Sequence, residues 1–168
     1  DVRSEYSRKL AEALSNQMDR HVLQVMGKAA RAATGVSGMP GGAVITHSEV
    51  AGATDFNNPV QFLDALAVAA ATMDEKDVPQ EGRTVYVRPA MFYKLIRDRT
   101  ALNKDWDGAG SFAQATLPQV MGFEIVATNH LPRTIILSGV EAGGTGARHG
   151  GDFTNTFALI VQREAVGT

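Results

Sequence analysis

DVRSEYSRKLAEALSNQMDRHVLQVMGKAARAA, residues 1–33, decides how the rest of the chain is read. Apolar residues stand at Val2, Tyr6, Leu10, Leu14, Met18, Val22, Met26, Ala30 and Ala33, with no proline among them. The spacing predicts one long amphipathic helix. Asp1 and Glu5 fall in its first turns and Lys28 and Arg31 in its last, the order that the helix dipole favours, and Gly35 closes it. At ~1.5 Å per residue such a helix is roughly 48 Å long. A compact chain of 168 residues is only roughly 40 Å across. An apolar stripe that outruns its own domain is expected to lie against other chains, so assembly takes precedence over catalysis.

Outward from the helix, Gly35, Gly38, Pro40, Gly41 and Gly42 make residues 35–42 a linker between a helical unit, 1–34, and a second unit, 43–168. Ala43 to Thr46 is expected to be a short strand. Asn58 and Pro59 supply an N-cap and a first-turn proline for a second helix that runs to about Lys76. Its alanines (Ala65, Ala67, Ala69, Ala70, Ala71) and Phe62, Leu63, Leu66 and Val68 are apolar nearly all round, which predicts burial on more than one side. Thr84 to Val87 reads as a strand leading into a third helix over Pro89 to Arg97, with Met91, Phe92, Leu95 and Ile96 facing inward. A polar loop, Asp98 to Gly110, precedes a possible helical turn near Ser111 to Gln114. Further strands are expected over Gly122 to Ala127 and Thr156 to Gln162. Between these two, Ser138 to Asp152 is glycine-rich and reads as a flexible loop. The mixture is α+β, without an internal repeat.

Composition sets bounds on function. Hydrophobic residues are 44% and charged residues 20%, a globular balance, and no apolar run reaches the ~18 to 20 residues of a membrane helix. The absence of cysteine excludes disulfides, thiolate metal sites and cysteine nucleophiles. A formal charge of −2 provides no general footprint for nucleic acid, so any DNA contact is expected to be local. Asp1 is neither an initiator methionine nor the start of a signal peptide, and the chain stops soon after a strong strand pattern. A fragment of a longer protein is expected.

The chemical motifs are weak. Gly143, Gly144 and Gly146 with Thr145 suggest a phosphate loop, but no Gly-Lys-Ser/Thr ending follows and the next element is a strand. A small α/β enzyme or nucleotide-binding domain built on loop 138–152 is therefore only the alternative reading. Asn103, Asp105, Asp107 and Gly108 imitate half a calcium loop, with Gln114 where a bidentate glutamate is needed. Trp106 fits either an interface anchor or a cap on its own core. His21, His47, His130 and His149 lie on separate elements without metal-ligand spacing, and no Gly-x-Ser-x-Gly elbow presents a serine. No catalytic, cofactor or metal residue is assigned. Arg97 and Arg99, near Asp98 and Asp105, are candidates for salt bridges within or between subunits.

Three segments together are more specific: Asp1-Val2-Arg3 with Tyr6-Ser7 and Leu10; Val120-Met121-Gly122-Phe123-Glu124-Ile125-Val126 with His130-Leu131; and Ala165-Val166-Gly167-Thr168. In this order they resemble the major capsid proteins of short-tailed, T-seven-like tailed bacteriophages. The resemblance implies an HK-ninety-seven-like fold, with 1–34 as the spine helix of a peripheral domain and 43–168 as mostly the axial domain with a mixed sheet. It implies a structural virion protein forming pentamers and hexamers of an icosahedral shell, assembled in the bacterial host cytoplasm. The implied partners are copies of itself, a scaffolding protein, a portal at one vertex and packaged double-stranded DNA, with no membrane. It further implies intersubunit contacts at Arg8, Lys9, Arg20 and Arg31, and a glycine-rich loop with Gly143, Gly144, Gly146 and Arg148 near the symmetry axis. The family's N-terminal arm, extended hairpin loop and later peripheral strands have no counterpart in these residues.

Overall fold

In the computed structural model the described residues are 2–32, 41–45, 59–98, 119–137, 139, 143 and 148–165. Helix α1 is Val2–Arg31, 30 residues and about 45 Å long. Helix α2 is Pro59–Glu75, strand β1 Arg83–Val87 and helix α3 Pro89–Asp98. Strands β2, Glu124–Ala127, β3, Ile135–Ile136, β4, Gly151–Asp152, and β5, Ala158–Gln162, follow. A turn of 3-10 helix, Arg163–Ala165, ends the described chain.

A mixed sheet in the order β2-β1-β5 forms the middle layer. Strand β1 runs parallel to β2, with Val85 opposite Ile125, and α3 lies in the crossover between them. Strand β5 is antiparallel to β1, with Val85 opposite Ile160. Alternation along β1 then sorts the side chains. Val85 and Val87 point to one face, where Phe62 and Leu66 of α2, Met91 and Leu95 of α3, Phe123 and Ile125 close the main core. Tyr86, Leu159 and Val161 point to the other, where Leu23, Met26 and Ala30 of α1 pack with Leu131. The molecule is therefore three layers, α2 and α3 over the sheet over the C-terminal half of α1.

The connections are chemically specified. Helix α2 ends with Val78 N–H donating to Met73 C=O (3.0 Å) and Asp77 N–H to Asp74 C=O (3.0 Å), while Asp77 takes φ +54°; this is a Schellman closure with aspartate in place of glycine. Arg83, at 3% exposure, ties that end to the sheet through Asp74 (2.6 Å), Val78 C=O and Pro79 C=O (3.0 Å). Before β2, Val120 and Phe123 exchange two backbone hydrogen bonds of 3.0 Å around Met121 (φ +53°) and Gly122 (φ +80°). Two successive left-handed residues define a type I′ turn, and it delivers Phe123 into the core with no exposure.

Three expectations change. Residues 43–45 form no strand, and Gly42 instead lies so close to Ala30 that a Cβ there would overlap the α1 backbone. Helix α2 buries Phe62, Leu66 and Ala69 but leaves Val60 and Val68 exposed, because the sheet and α3 cover one side of it only. The glycine-rich segment ends in order: β4 pairs antiparallel with β3, Ile136 opposite Gly151. The expected helical turn at 111–114 lies outside the described residues.

Candidate assembly surface

Helix α1 divides into two halves with different surroundings. Its C-terminal half is fastened to the body by apolar packing, a ring in a glycine slot and several polar ties. Gly27 is buried because Phe153 sits on it: a Cβ at Gly27 would lie 3.3 Å from Phe153 Cε1, and one at Gly151 3.2 Å from Cζ. Phe153 has no exposed surface and packs with Ile136. The Arg31 guanidinium lies 5.6 Å from its ring centre and donates to Asp152 C=O and to Thr156 Oγ1 (2.7 Å). Lys28 Nζ donates to Arg148 C=O at 2.9 Å, and Asp19 Oδ2 lies 3.7 Å from His130 Nδ1.

Electrostatics around β4 follow from these contacts. The hydroxyl and amide of Thr154 both donate to the Asp152 carboxylate. They hold its pKa below the usual carboxylate range, with Arg31 adding to the effect. The His149 ring stacks on His21 of α1, centroids 4.3 Å apart and planes at 18°. Desolvation, followed by the charges of His21, Lys28 and Arg148, pushes the His149 pKa down.

From Val2 to Val22 helix α1 carries an exposed apolar stripe. Val2, Tyr6, Leu10, Leu14, Met18 and Val22 are exposed, from 86% at Val2 to 45% at Val22. Val2, Glu5, Tyr6 and Lys9 form a shallow, open surface on this part of α1, too open for a small-molecule site.

The residues singled out from sequence distribute unevenly. Arg8 pairs with Glu5 at 2.7 Å and Lys9 with Glu12 at 3.4 Å, all exposed on α1. Such pairs contribute only about 0 to 1 kcal/mol, so the stripe beside them is the larger source of binding energy. Arg20 is half-buried, Arg31 is engaged inside the chain, and Arg97 is exposed near the end of α3. Gly143, at φ +83°, closes over the His149 ring, where a Cβ would lie 2.5 Å from Cδ2. Arg99, Asp105, Trp106, Gly144 and Gly146 lie outside the described residues, as does the half calcium loop 103–108. Among the described residues no three His, Asp or Glu side chains gather as a metal site, and no helix is long and apolar enough to cross a membrane. Sequence spacing missed the His21–His149 stack and the Phe153–Gly27 contact. The only advance signal was Gly27 itself, a helix-interior glycine that lowers helix stability by about 1 kcal/mol unless something packs on it.

Comparisons with known proteins bear directly on this surface. A family model described as Gp10A-like major capsid protein matches residues 1–168. No curated protein matches the chain. Among solved structures it is similar to a chain in the capsid of the cyanophage P-SCSP1u, with 29% identity and a TM-score of 0.82, over 96% of this chain and 50% of that one. A chain of the bacteriophage PhiM1 mature capsid shares the fold at 18% identity and a TM-score of 0.71, over 95% of this chain and 49% of that one. The chain thus spans about half the length of these structural relatives. With the long helix, the mixed sheet and a family match over every residue in agreement, the chain belongs to the Gp10A-like major capsid proteins and carries their HK-ninety-seven-like fold.

Proposed function

We infer that this chain is part of a major capsid subunit, a structural protein that assembles with copies of itself into the pentamers and hexamers of an icosahedral virion shell. The observation that carries the reading is the exposed apolar stripe on α1, on a chain whose family builds capsids. In this reading α1 is the spine of the peripheral domain and residues 43–168 are mostly the axial domain. Assembly takes place in the cytoplasm of a bacterial host, guided by a scaffolding protein and completed by a portal, around double-stranded DNA held without sequence specificity. Anchoring of residues 148–152 on α1 supports a role for the base of the glycine-rich loop in seating the helix, and the loop 138–152, with Gly143, Gly144, Gly146 and Arg148, is the segment assigned to the symmetry axis. The enzyme reading has no support from the family match.

The stripe supplies a test. Burying the exposed part of Leu10 and Leu14 contributes about 1 to 2 kcal/mol each, and a buried unpaired glutamate reverses the sign. The double variant Leu10→Glu, Leu14→Glu, made in the complete protein and co-expressed with its scaffold, is expected to yield folded subunits and no closed shells by electron microscopy. Shells at wild-type yield would sink the assignment of this surface.

A further inference from the structure

The His21–His149 stack is not explained by assembly or by packing alone. The surroundings of His149 select the neutral form of its ring. Gln17 Nε2 lies 2.9 Å from His21 Nε2 and holds the His21 ring in place for the stack. His149 Nδ1 is buried with no hydrogen-bond partner among the described residues. An imidazolium must donate from both nitrogens, and at Nδ1 that donor would meet no acceptor. The charged groups facing His149 are His21 and Lys28 from α1 and Arg148 beside it, so a second positive ring 4.3 Å away would join a cluster already positive.

The geometry points to a proton-operated clasp: neutral His149 stacks on His21 and holds Gly143 and residues 148–150 against α1, and protonation of His149 releases them while the helix keeps its seat. The seat is separate because its ties respond otherwise. The Gly27–Phe153 contact and the Leu23–Leu131–Leu159 cluster do not titrate. Depression of the His149 pKa in the closed form agrees in sign. The closed form is fully favoured above the ordinary histidine value of 6.5, and that preference is lost progressively as pH falls from there toward the lowered pKa.

The magnitude is bounded. A group with an ordinary pKa of 6.5 that the closed form keeps neutral shifts opening by at most about tenfold on going to pH 5.5. The test is amide hydrogen exchange of the full chain at pH 7.5 and 5.5, each rate divided by that of an unstructured reference peptide at the same pH. Protection of the amides of residues 148–150 is expected to fall several-fold, up to the tenfold ceiling, while peptides from α2 and β1 stay within twofold. His149→Phe and His149→Gln, neither of which titrates, are each expected to flatten the response. A wild-type change below twofold, an equal loss in α2 and β1, or a full response in both variants would overturn the clasp.

Discussion

Replacing Gly27 by alanine sets two effects of known size against each other. Alanine in a helix interior is favoured over glycine by about 1 kcal/mol, so on propensity alone the variant gains stability. Its Cβ, however, would stand 3.3 Å from Phe153 Cε1, inside the ~3.5 to 4.0 Å optimum for carbon contacts. The ring has little room to retreat, because Phe153 has no exposed surface and packs against Ile136. Overpacking of this kind costs about 1 to 3 kcal/mol. The net expectation for Gly27→Ala is a loss of about 1 kcal/mol, and for Gly27→Leu of more than about 3 kcal/mol. A double-mutant cycle isolates the cause: in a Phe153→Leu background the same alanine should gain about 0.5 to 1 kcal/mol, a coupling of about 1 to 2 kcal/mol. Urea denaturation followed by circular dichroism at constant m-value measures all four corners. A gain of about 1 kcal/mol from Gly27→Ala alone would refute the contact, and with it the idea that Phe153 sets how α1 leaves the body.

Other outcomes follow from single sites. Arg83→Met strands the Val78 and Pro79 carbonyls and is expected to cost about 2 to 4 kcal/mol, whereas Asp74→Asn, on a half-exposed acceptor, should cost under about 1 kcal/mol; equal losses in denaturant titrations would show that the ion pair dominates. Met121→Asn, at an exposed left-handed position, should gain about 0.5 to 1 kcal/mol, read as a rise of about 1 to 4 °C in Tm, and no rise would argue against the I′ turn. Asp152→Asn should abolish the acid sensitivity of the β4 turn. In the parent that stability is present above the ordinary carboxylate value of 3.8 and is lost as pH falls below it toward the lowered pKa; an unchanged acid profile of exchange at Thr154 and Asn155 would contradict it.

What was legible in the sequence was what local chemistry controls. Helix α1 follows from a four-residue apolar spacing held over thirty residues, α2 from Pro59 in its first turn, and β1 with α3 from a β-branched run broken by Pro89. What was hidden depends on distant partners. Gly151 has poor intrinsic strand preference, and it pairs with Ile136 because Phe153, two residues on, is pinned between Gly27 and Gly151. The apolar girth of α2 predicted cover on several sides, but composition does not say where the cover comes from, and Val60 and Val68 stay exposed. His21 and His149 meet only because the helix and the β4 region dock, a fact no spacing encodes.

The stripe on α1 has a further geometric property that bears on how many neighbours it serves. Steps of four residues at 3.6 per turn rotate the stripe by about 40° each, so it winds through about 200° between Val2 and Val22 before Met26 and Ala30 carry it into contact with the chain's own sheet. One straight partner surface touches only two or three such residues. The stripe therefore suits several neighbours approaching from different sides, each burying about two large side chains for about 2 to 4 kcal/mol, too little for a stable pair once association entropy is counted but enough when symmetry closes a ring. Tyr6 and Met18 are about 18 Å apart along the axis and should then contact different neighbours. Tyr6→Glu and Met18→Glu, each made in the complete protein, are expected to raise the critical concentration for assembly independently, with the double variant additive within about 0.5 kcal/mol. A double variant no worse than the worse single one would mean a single continuous partner wraps the helix, and the several-neighbour geometry would be wrong.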